Sequence, residues 1–549
     1  MGDASSTIGD RWHLRTVSDE LSGHYRAMGW WNDATLGEMV AVGLGRMGST
    51  PFRVRSSVHP WRGTFAEVDG AARALAGALR AEGVGPGDVV AFQLPNWVEA
   101  GITFWAASYL GAVVVPIVHF YGPKEVDYIL RTVSPDVMVT ADRFAHNDYL
   151  ATYEGLLSGS SARWLVAAAE PDRALPPTAR PLASLLGADP VERPAPVDPD
   201  IPAIIGFTSG TTRDPKGVIH SHRTIGCETR QLDYMFPTGG PPQITGAPVG
   251  HFIGMLNAFL MPMLRDYPVN LIDVWDPAQV LRMMSEEGLG VGGGATFFLT
   301  SLLDHPDFTD EHLALMPFAG LGGSAVPEAV TRRATNLGMK VFRSYGSTEH
   351  PSITGCLLED PEDKRLATDG HALPGVEFHL DGDGQIISRG PDCFVGYTDP
   401  GLTASVVDDD GWYHTGDVGV LDDEGYLTIT DRISDIIIRG GENISAAEIE
   451  ELLMGLDEVA EVCVVAEPDE RLGEHAAAVL RLRDGRTAPS VQDLGQRLGA
   501  AGLSRQKWPE AVYQVEEFPR TPSGKVQKFV LRRQLRDGAL GAPSRPDER

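Results

Sequence analysis

Thr208-Ser209-Gly210-Thr211-Thr212-Arg213-Asp214-Pro215-Lys216-Gly217 places four hydroxylated side chains, two glycines and a lysine within ten positions. The apolar run Ile204-Ile205-Gly206-Phe207 before it reads as a buried strand. Glycine lets the backbone approach a ligand, and successive N–H groups in such a turn form a concave nest for an anion. The hydroxyls add donors and Lys216 adds a point charge, so the ligand implied is a phosphate. The stretch is not a Walker A loop, because Lys216 follows Pro215 instead of Gly and no Ser or Thr comes next. An ordinary Ser/Thr/Gly surface loop is the alternative reading.

Other stretches carry chemistry less distinctly. Gly292-Gly293-Gly294-Ala295-Thr296-Phe297 and Gly320-Leu321-Gly322-Gly323-Ser324-Ala325 both read as strand-to-loop transitions. Each offers bare backbone to a flat ring or an acyl chain, or is only a tight turn. In Pro248-Val249-Gly250-His251-Phe252-Ile253-Gly254, the His and Phe either line a pocket or are structural. His220-Ser221-His222 lacks a third metal ligand and is read as a solvated turn. Gly43-Leu44-Gly45-Arg46-Met47-Gly48 fits GxGxxG, but no strand precedes it and Ser49-Thr50-Pro51 stands where a helix should start, so a loop is expected.

At 549 residues the chain needs more than one core. A net charge near −29 argues against nucleic acid or an anionic membrane as partner, and anionic substrates must be held by local cations and dipoles. Cys227, Cys356, Cys393 and Cys463 are scattered without a CxxC pair, which fits a reducing cytosol and no zinc site. No signal peptide is visible at the N-terminus, and the myristoylation pattern at Gly2 and Ser6 is read as chance. Gly101 to Tyr121 is uncharged and long enough to span a bilayer. Gly111 and Pro116 divide it, and a buried helix ending near Leu110 followed by a buried strand is expected.

From Thr64 to about residue 350, helical and strand patterns alternate, as in parallel sheets covered by helices. Residues 170 to 200, rich in Pro and Ala, read as a surface connection. LDDEGYLTI after Asp417 reads as a hairpin. Beyond Asp435 come a short strand, a Gly440-Gly441 turn, a capping box of Ser445 and Glu448 opening AEIEELLMGL, and the strands EVCVVAEP and HAAAVLRLR.

TSGTTRDPKG resembles the phosphate-loop signature of the adenylate-forming superfamily, which holds acyl-CoA synthetases, peptide-synthetase adenylation domains and luciferases. That family usually has Gly at the place of Arg213. Ser344-Tyr345-Gly346-Ser347-Thr348-Glu349 resembles its YGxTE signature, Asp417 and Arg432 its ribose and phosphate contacts, and Pro519-Arg520-Thr521-Pro522-Ser523-Gly524-Lys525 its last signature with a catalytic lysine. The resemblance runs from about Thr64 to Lys528, with the signatures in order. It implies a large N-terminal domain (1–432) of layered α/β sheets with a small β-barrel-like part, and a small mobile α+β C-terminal domain (433–549). By the same resemblance ATP is held by Thr208, Ser209, Gly210, Thr211, Thr212, Lys216, Gly323, Ser324, Ser344, Tyr345, Gly346, Ser347, Thr348, Asp417, Arg432 and Lys525. His251, Phe252, Gly254, Thr296 and Gly322 take the acyl group, Gly440 and Gly441 line the CoA tunnel, and Ser434 falls at the hinge, where Asp or Lys is usual. Phosphates and a carboxylate need a cation between them, and Mg²⁺ takes few oxygens from protein, so Glu349 with Thr208 suffices.

The activity implied is an AMP-forming carboxylate–CoA ligase, with Lys525, Thr348 and Glu349 as catalytic residues and ATP, Mg²⁺ and CoA required. PIVHFYGPKEVDYIL and the N-terminal region are similar to cyclohexanecarboxylate and medium-chain acyl-CoA ligases, so a medium-chain or alicyclic acid is expected, with aryl acids next. Loading of a carrier protein is the alternative inside the family; the His251 segment has no Asp for an α-amino group, and only a short tail follows Lys525. A non-catalytic nucleotide-binding protein is the alternative outside it. The oligomeric state stays open, a homodimer among the readings, and a cytoplasmic location is expected.

Overall fold

The computed structural model describes residues 11–170, 172–208, 215–323, 326–439, 442–469, 472–521 and 524–544. Ser209, Gly210, Thr211, Thr212, Ser324, Gly440 and Gly441 lie outside the described residues, as does the side chain of Ser434.

Local signals set the first layer. Thr64 opens the helix Phe65–Ala81 through a capping box with Glu67. The uncharged segment divides as its glycine dictates: helix Val98–Leu110 stops at Gly111, φ 66°, and strand Val113–Ile117 follows. Both are buried all round, which is why their composition imitates a bilayer span. Among the described residues no helix is long and apolar enough to cross a membrane.

The largest sheet has eight strands, in the order Gly396–Tyr397, Lys216–Ser221, Pro202–Thr208, Val113–Ile117, Val89–Gln93, Val137–Ala141, Arg163–Ala167 and Ala179–Pro181. From Pro202–Thr208 to the far edge neighbouring strands are parallel, whereas Lys216–Ser221 returns antiparallel as a hairpin. Residues 170 to 200 are thus more than a connection, since Ala179–Pro181 extends the sheet. A second sheet runs Gly293–Gly294, Phe318–Gly322, Lys340–Tyr345, Thr354–Gly355 and His371–Ala372. The β-barrel-like part takes the form of a four-stranded antiparallel sheet, Glu377–Leu380, Gln385–Arg389, Tyr413–Leu421 and Leu427–Arg432, whose last turn is the Asp-Asp-Glu-Gly hairpin. The C-terminal part is smaller and α+β. Strands Ile437–Arg439, Glu442–Ile444, Val459–Asp469, Gly473–Leu482 and Ala511–Gln514 carry helices Ala446–Met454, Val491–Ala500 and Lys528–Arg536 over cores of their own.

Three local expectations change. The GxGxxG stretch is mostly helix, Leu36–Arg46, started by a capping box of Thr35 and Glu38. His220-Ser221-His222 is no solvated turn: all three are buried where strand passes into helix His222–Met235. Ser445 caps the helix Ala446–Met454, but the box is half made, because the Glu448 carboxylate goes to Lys507 instead.

Candidate active site

Thr208 and Lys216, the described ends of the phosphate-loop stretch, pair across the antiparallel hairpin. Gly206, one turn of the pleat below, is a point of close approach. A Cβ there would lie 3.2 Å from the Phe252 ring and 3.3 Å from Thr348 Cγ2. Bare backbone thus lets the His251–Phe252 segment and the Thr348–Glu349 segment pack on the same strand. His220 fastens them further. Its Nε2–H donates to the Thr348 carbonyl at 2.7 Å, and its ring lies 4.9 Å from that of Phe252. Burial pushes its pKa down to about 4, so the imidazole is neutral and serves as a fixed donor.

Glu349 is buried, and its Oε1 accepts the Tyr397 hydroxyl at 2.7 Å. Among the described residues no other hydrogen bond reaches the carboxylate. Tyr397 stands on the edge strand beside the hairpin, and Lys216 Nζ lies 5.5 Å from its ring centroid. One tyrosine therefore bridges the lysine of the phosphate loop and the acid. A tight turn, with Ser347 N–H donating to the His350 carbonyl and His350 N–H to Ser347 Oγ, presents Thr348 and Glu349. Gly346 permits that turn, since a Cβ there would overlap the Pro351 carbonyl.

On the facing side, Asp417 is 3% exposed and accepts from Tyr345 Oη at 2.7 Å and from Arg432 Nε at 2.6 Å. Each oxygen keeps a lone pair for a further donor. Gly322 lies beside Ser344 in neighbouring parallel strands, and the space of its missing Cβ is 2.8 Å from Ser344 Oγ. Gly254 lies in the first turn of helix Phe252–Phe259. A Cβ on it would overlap the Pro248 carbonyl, so its bareness seats helix Phe252–Phe259 on its own entry turn.

Lys525 comes from the small part. A turn closed by Thr521 N–H to the Lys525 carbonyl at 2.7 Å carries it, and its Cε lies 3.9 Å from the Cβ position of Gly323. Gly524, φ 86°, comes so close to Phe297 that a Cβ would lie 3.1 Å from that residue's Cβ. Arg520 stacks over the Phe297 ring at 5.1 Å. Burial, then the charge of Arg432, pull the Lys525 ammonium down to about 8, against the pull of Asp417 and Glu349. His251 is held near 4 by burial and by Lys525. His251 Nδ1 and Thr296 Oγ1 are both buried without a hydrogen-bond partner among the described residues. Gly206, His220, Tyr397 and Phe297 were not singled out as site residues by the sequence; only the contacts assign them here.

A large α/β part bearing the Thr208–Lys216 hairpin and a buried carboxylate, with a small part that brings a lysine over Gly323, is the architecture of an adenylate-forming enzyme. The chain belongs to the AMP-binding enzyme family: residues 53–398 match the model of the AMP-binding enzyme, and residues 448–525 that of its C-terminal domain. It is similar to the medium-chain fatty-acid–CoA ligase of Escherichia coli (strain K12), 32% identical over 95% of this chain and 94% of that one. It is also similar to the 3-[(3aS,4S,7aS)-7a-methyl-1,5-dioxo-octahydro-1H-inden-4-yl]propanoyl:CoA ligase of Rhodococcus jostii (strain RHA1), 35% identical over 85% of this chain and 93% of that one. Among solved structures it resembles ATP-bound MatB from Rhodopseudomonas palustris, with a TM-score of 0.80, 27% identity, and coverage of 90% of this chain and 99% of that one.

Proposed function

We propose that the protein is an ATP-dependent acid–CoA ligase that makes an acyl adenylate and then an acyl-CoA, releasing pyrophosphate and AMP. The observation that carries this reading is Lys525, set over Gly323 and within electrostatic reach of Asp417, Arg432 and Glu349. Activation is needed because a free carboxylate repels nucleophiles. A carboxylate oxygen attacks the α-phosphorus and pyrophosphate leaves; Lys525 and Thr348 stabilise the charge that builds on the phosphate oxygens. Lys216 and the Thr208 hairpin hold the leaving phosphates, Tyr345 flanks the adenine, and Asp417 accepts the ribose hydroxyls through its remaining lone pairs. The unshared carboxylate oxygen of Glu349, with the Thr208 hydroxyl, suits Mg²⁺. That ion would neutralise the phosphates as the acid approaches. The boundary near residue 432 lets the small domain turn about Ser434, withdraw Lys525 and admit the CoA thiol along Gly440 and Gly441.

The acid is an apolar monocarboxylate, medium-chain or alicyclic. Two observations favour it: the relatives named act on a medium-chain fatty acid and on a bicyclic propanoate, and the His251 beside Lys525 is neutral, so it supplies no cation for a second carboxylate. The four cysteines, free and buried, suit a cytoplasmic location. The test is pyrophosphate exchange into ATP and CoA-thioester formation across hexanoate, octanoate, palmitate, cyclohexanecarboxylate and benzoate. Octanoate or cyclohexanecarboxylate should turn over fastest; no exchange with any acid would sink the ligase reading.

A pH dependence follows from Lys525. Its pKa is lowered to about 8, so the charged form is complete well below that pH and is lost as pH rises through it. The kcat/KM for ATP in pyrophosphate exchange, which reports the free enzyme, should be flat near neutrality and fall about tenfold per pH unit above 8. A profile flat to pH 9.5 would mean that this ammonium does not govern the step.

A further inference from the structure

We infer that Glu451 is the positioning residue that seats the small part with Lys525 in the site. Helix Glu328–Asn336 of the large part starts at Pro327, which supplies no side-chain cap. The first N–H groups of any helix lack partners and form the positive end of its dipole. Here the cap comes from 123 residues away: Glu451 Oε1, on helix Ala446–Met454 of the small part, accepts the Glu328 N–H at 2.8 Å. The same carboxylate interacts with the N–H of Ala329. Arg332 pairs with the Glu328 carboxylate, and so tempers its repulsion of Glu451.

Two further contacts converge on that helix. Asp304, bound to Arg333 at 2.6 Å, also faces Arg483 of the small part at 3.9 Å. Met454, at the end of the Glu451 helix, packs on the apolar cluster that includes Val330 and Ala334. The seat is rigidly tied to the lysine. Glu450, the neighbour of Glu451, turns inward to Lys528 Nζ at 2.9 Å and to Val464 N–H at 2.7 Å. Lys528 stands three residues past Lys525. A carboxylate on a helix start thus registers the loop that delivers the ammonium, and nothing in the chemistry of the second half-reaction requires it.

The inference rests on the adenylating role proposed for Lys525, so its test separates the two. Glu451→Ala should slow pyrophosphate exchange about tenfold, a little beyond the usual effect of losing one helix cap. Thioester formation from a supplied acyl adenylate should be unchanged or faster. Glu451→Gln, which keeps an acceptor oxygen, should recover part of the exchange rate. The native cysteines are buried, so spin labels on Glu286→Cys and Gln492→Cys can report the separation of the two parts without activity. Its distribution should broaden in Glu451→Ala and stay narrow in the parent. Equal loss of both half-reactions, or an unchanged distribution and an unchanged ratio of half-reactions, would overturn the inference. If the parent protein exchanges no pyrophosphate with any acid, the ligase reading fails, and the label distances still decide whether Glu451 holds the two parts together.

Discussion

Replacing Lys525 by alanine will cut pyrophosphate exchange by about a hundredfold to a thousandfold, the scale of deleting one preorganised partner of transition-state charge. Formation of thioester from a supplied acyl adenylate will stay within about threefold of the parent, an allowance for ordinary surface-scale effects. The split is expected because, among the described residues, the neighbouring cations are already engaged. Arg432 is committed to Asp417, Arg520 lies over the Phe297 ring, and Lys216 sits at the hairpin mouth beside Tyr397. Gly524 sits close against the large part, where an added Cβ would lie 3.1 Å from Phe297 Cβ. Folding should not suffer, because a lysine whose burial lowers its pKa costs stability rather than adding it. Exchange surviving near the parent rate would remove Lys525 from the chemistry and leave the small part without a function in the first half-reaction.

What the sequence made legible was whatever is decided locally. Gly111 after an apolar helix and the Asp-Asp-Glu-Gly turn each act over four or five residues, and the elements appear where those signals place them; the helix after Thr64 follows its apolar periodicity, and the capping box with Glu67 that opens it is a local signal not read beforehand. The same rule explains a miss: Thr35-x-x-Glu38 is also a capping box, but the glycines of GLGRMG drew a loop reading over what is helix. Properties made by partners far along the chain were not legible. His220 opens a polar His-Ser-His triplet, so it read as solvated; it is buried in a strand of the large sheet, where Phe252 and Thr348 arrive from 32 and 128 residues away. The packing duty of Gly254 was equally hidden: its missing Cβ makes room for the Pro248 carbonyl of its own segment. Tyr397 has no signature around it, and Glu451 is one acid among several on its helix. Only the hydrogen bonds to Glu349 and to a distant helix start distinguish them.

Glu349→Gln will lower pyrophosphate exchange by about a hundredfold and raise the Mg²⁺ concentration needed for half-maximal rate, because it removes charge while keeping shape. Glutamine still offers an oxygen to the Tyr397 hydroxyl, so the turn at Ser347–His350 and the contact of His220 with the Thr348 carbonyl should survive. What is lost is the negative charge on the oxygen that Tyr397 leaves free. Tyr397→Phe makes the complementary change: the charge stays and its orienting bond goes. Breaking a hydrogen bond to a charged group costs about 1.5–3 kcal/mol when the group is held only by it, so exchange should fall roughly tenfold to a hundredfold. The double variant should then be little worse than Glu349→Gln alone, since Tyr397→Phe keeps the ring beside Lys216 and removes only the hydroxyl that orients the carboxylate. Thermal stabilisation by ATP with Mn²⁺, compared with ATP alone, gives a measure that does not pass through turnover; the increment due to the metal should vanish in Glu349→Gln and shrink in Tyr397→Phe. Additive losses in the double variant, with the metal increment intact in both singles, would place Tyr397 and Glu349 in separate duties and take the cation away from this carboxylate.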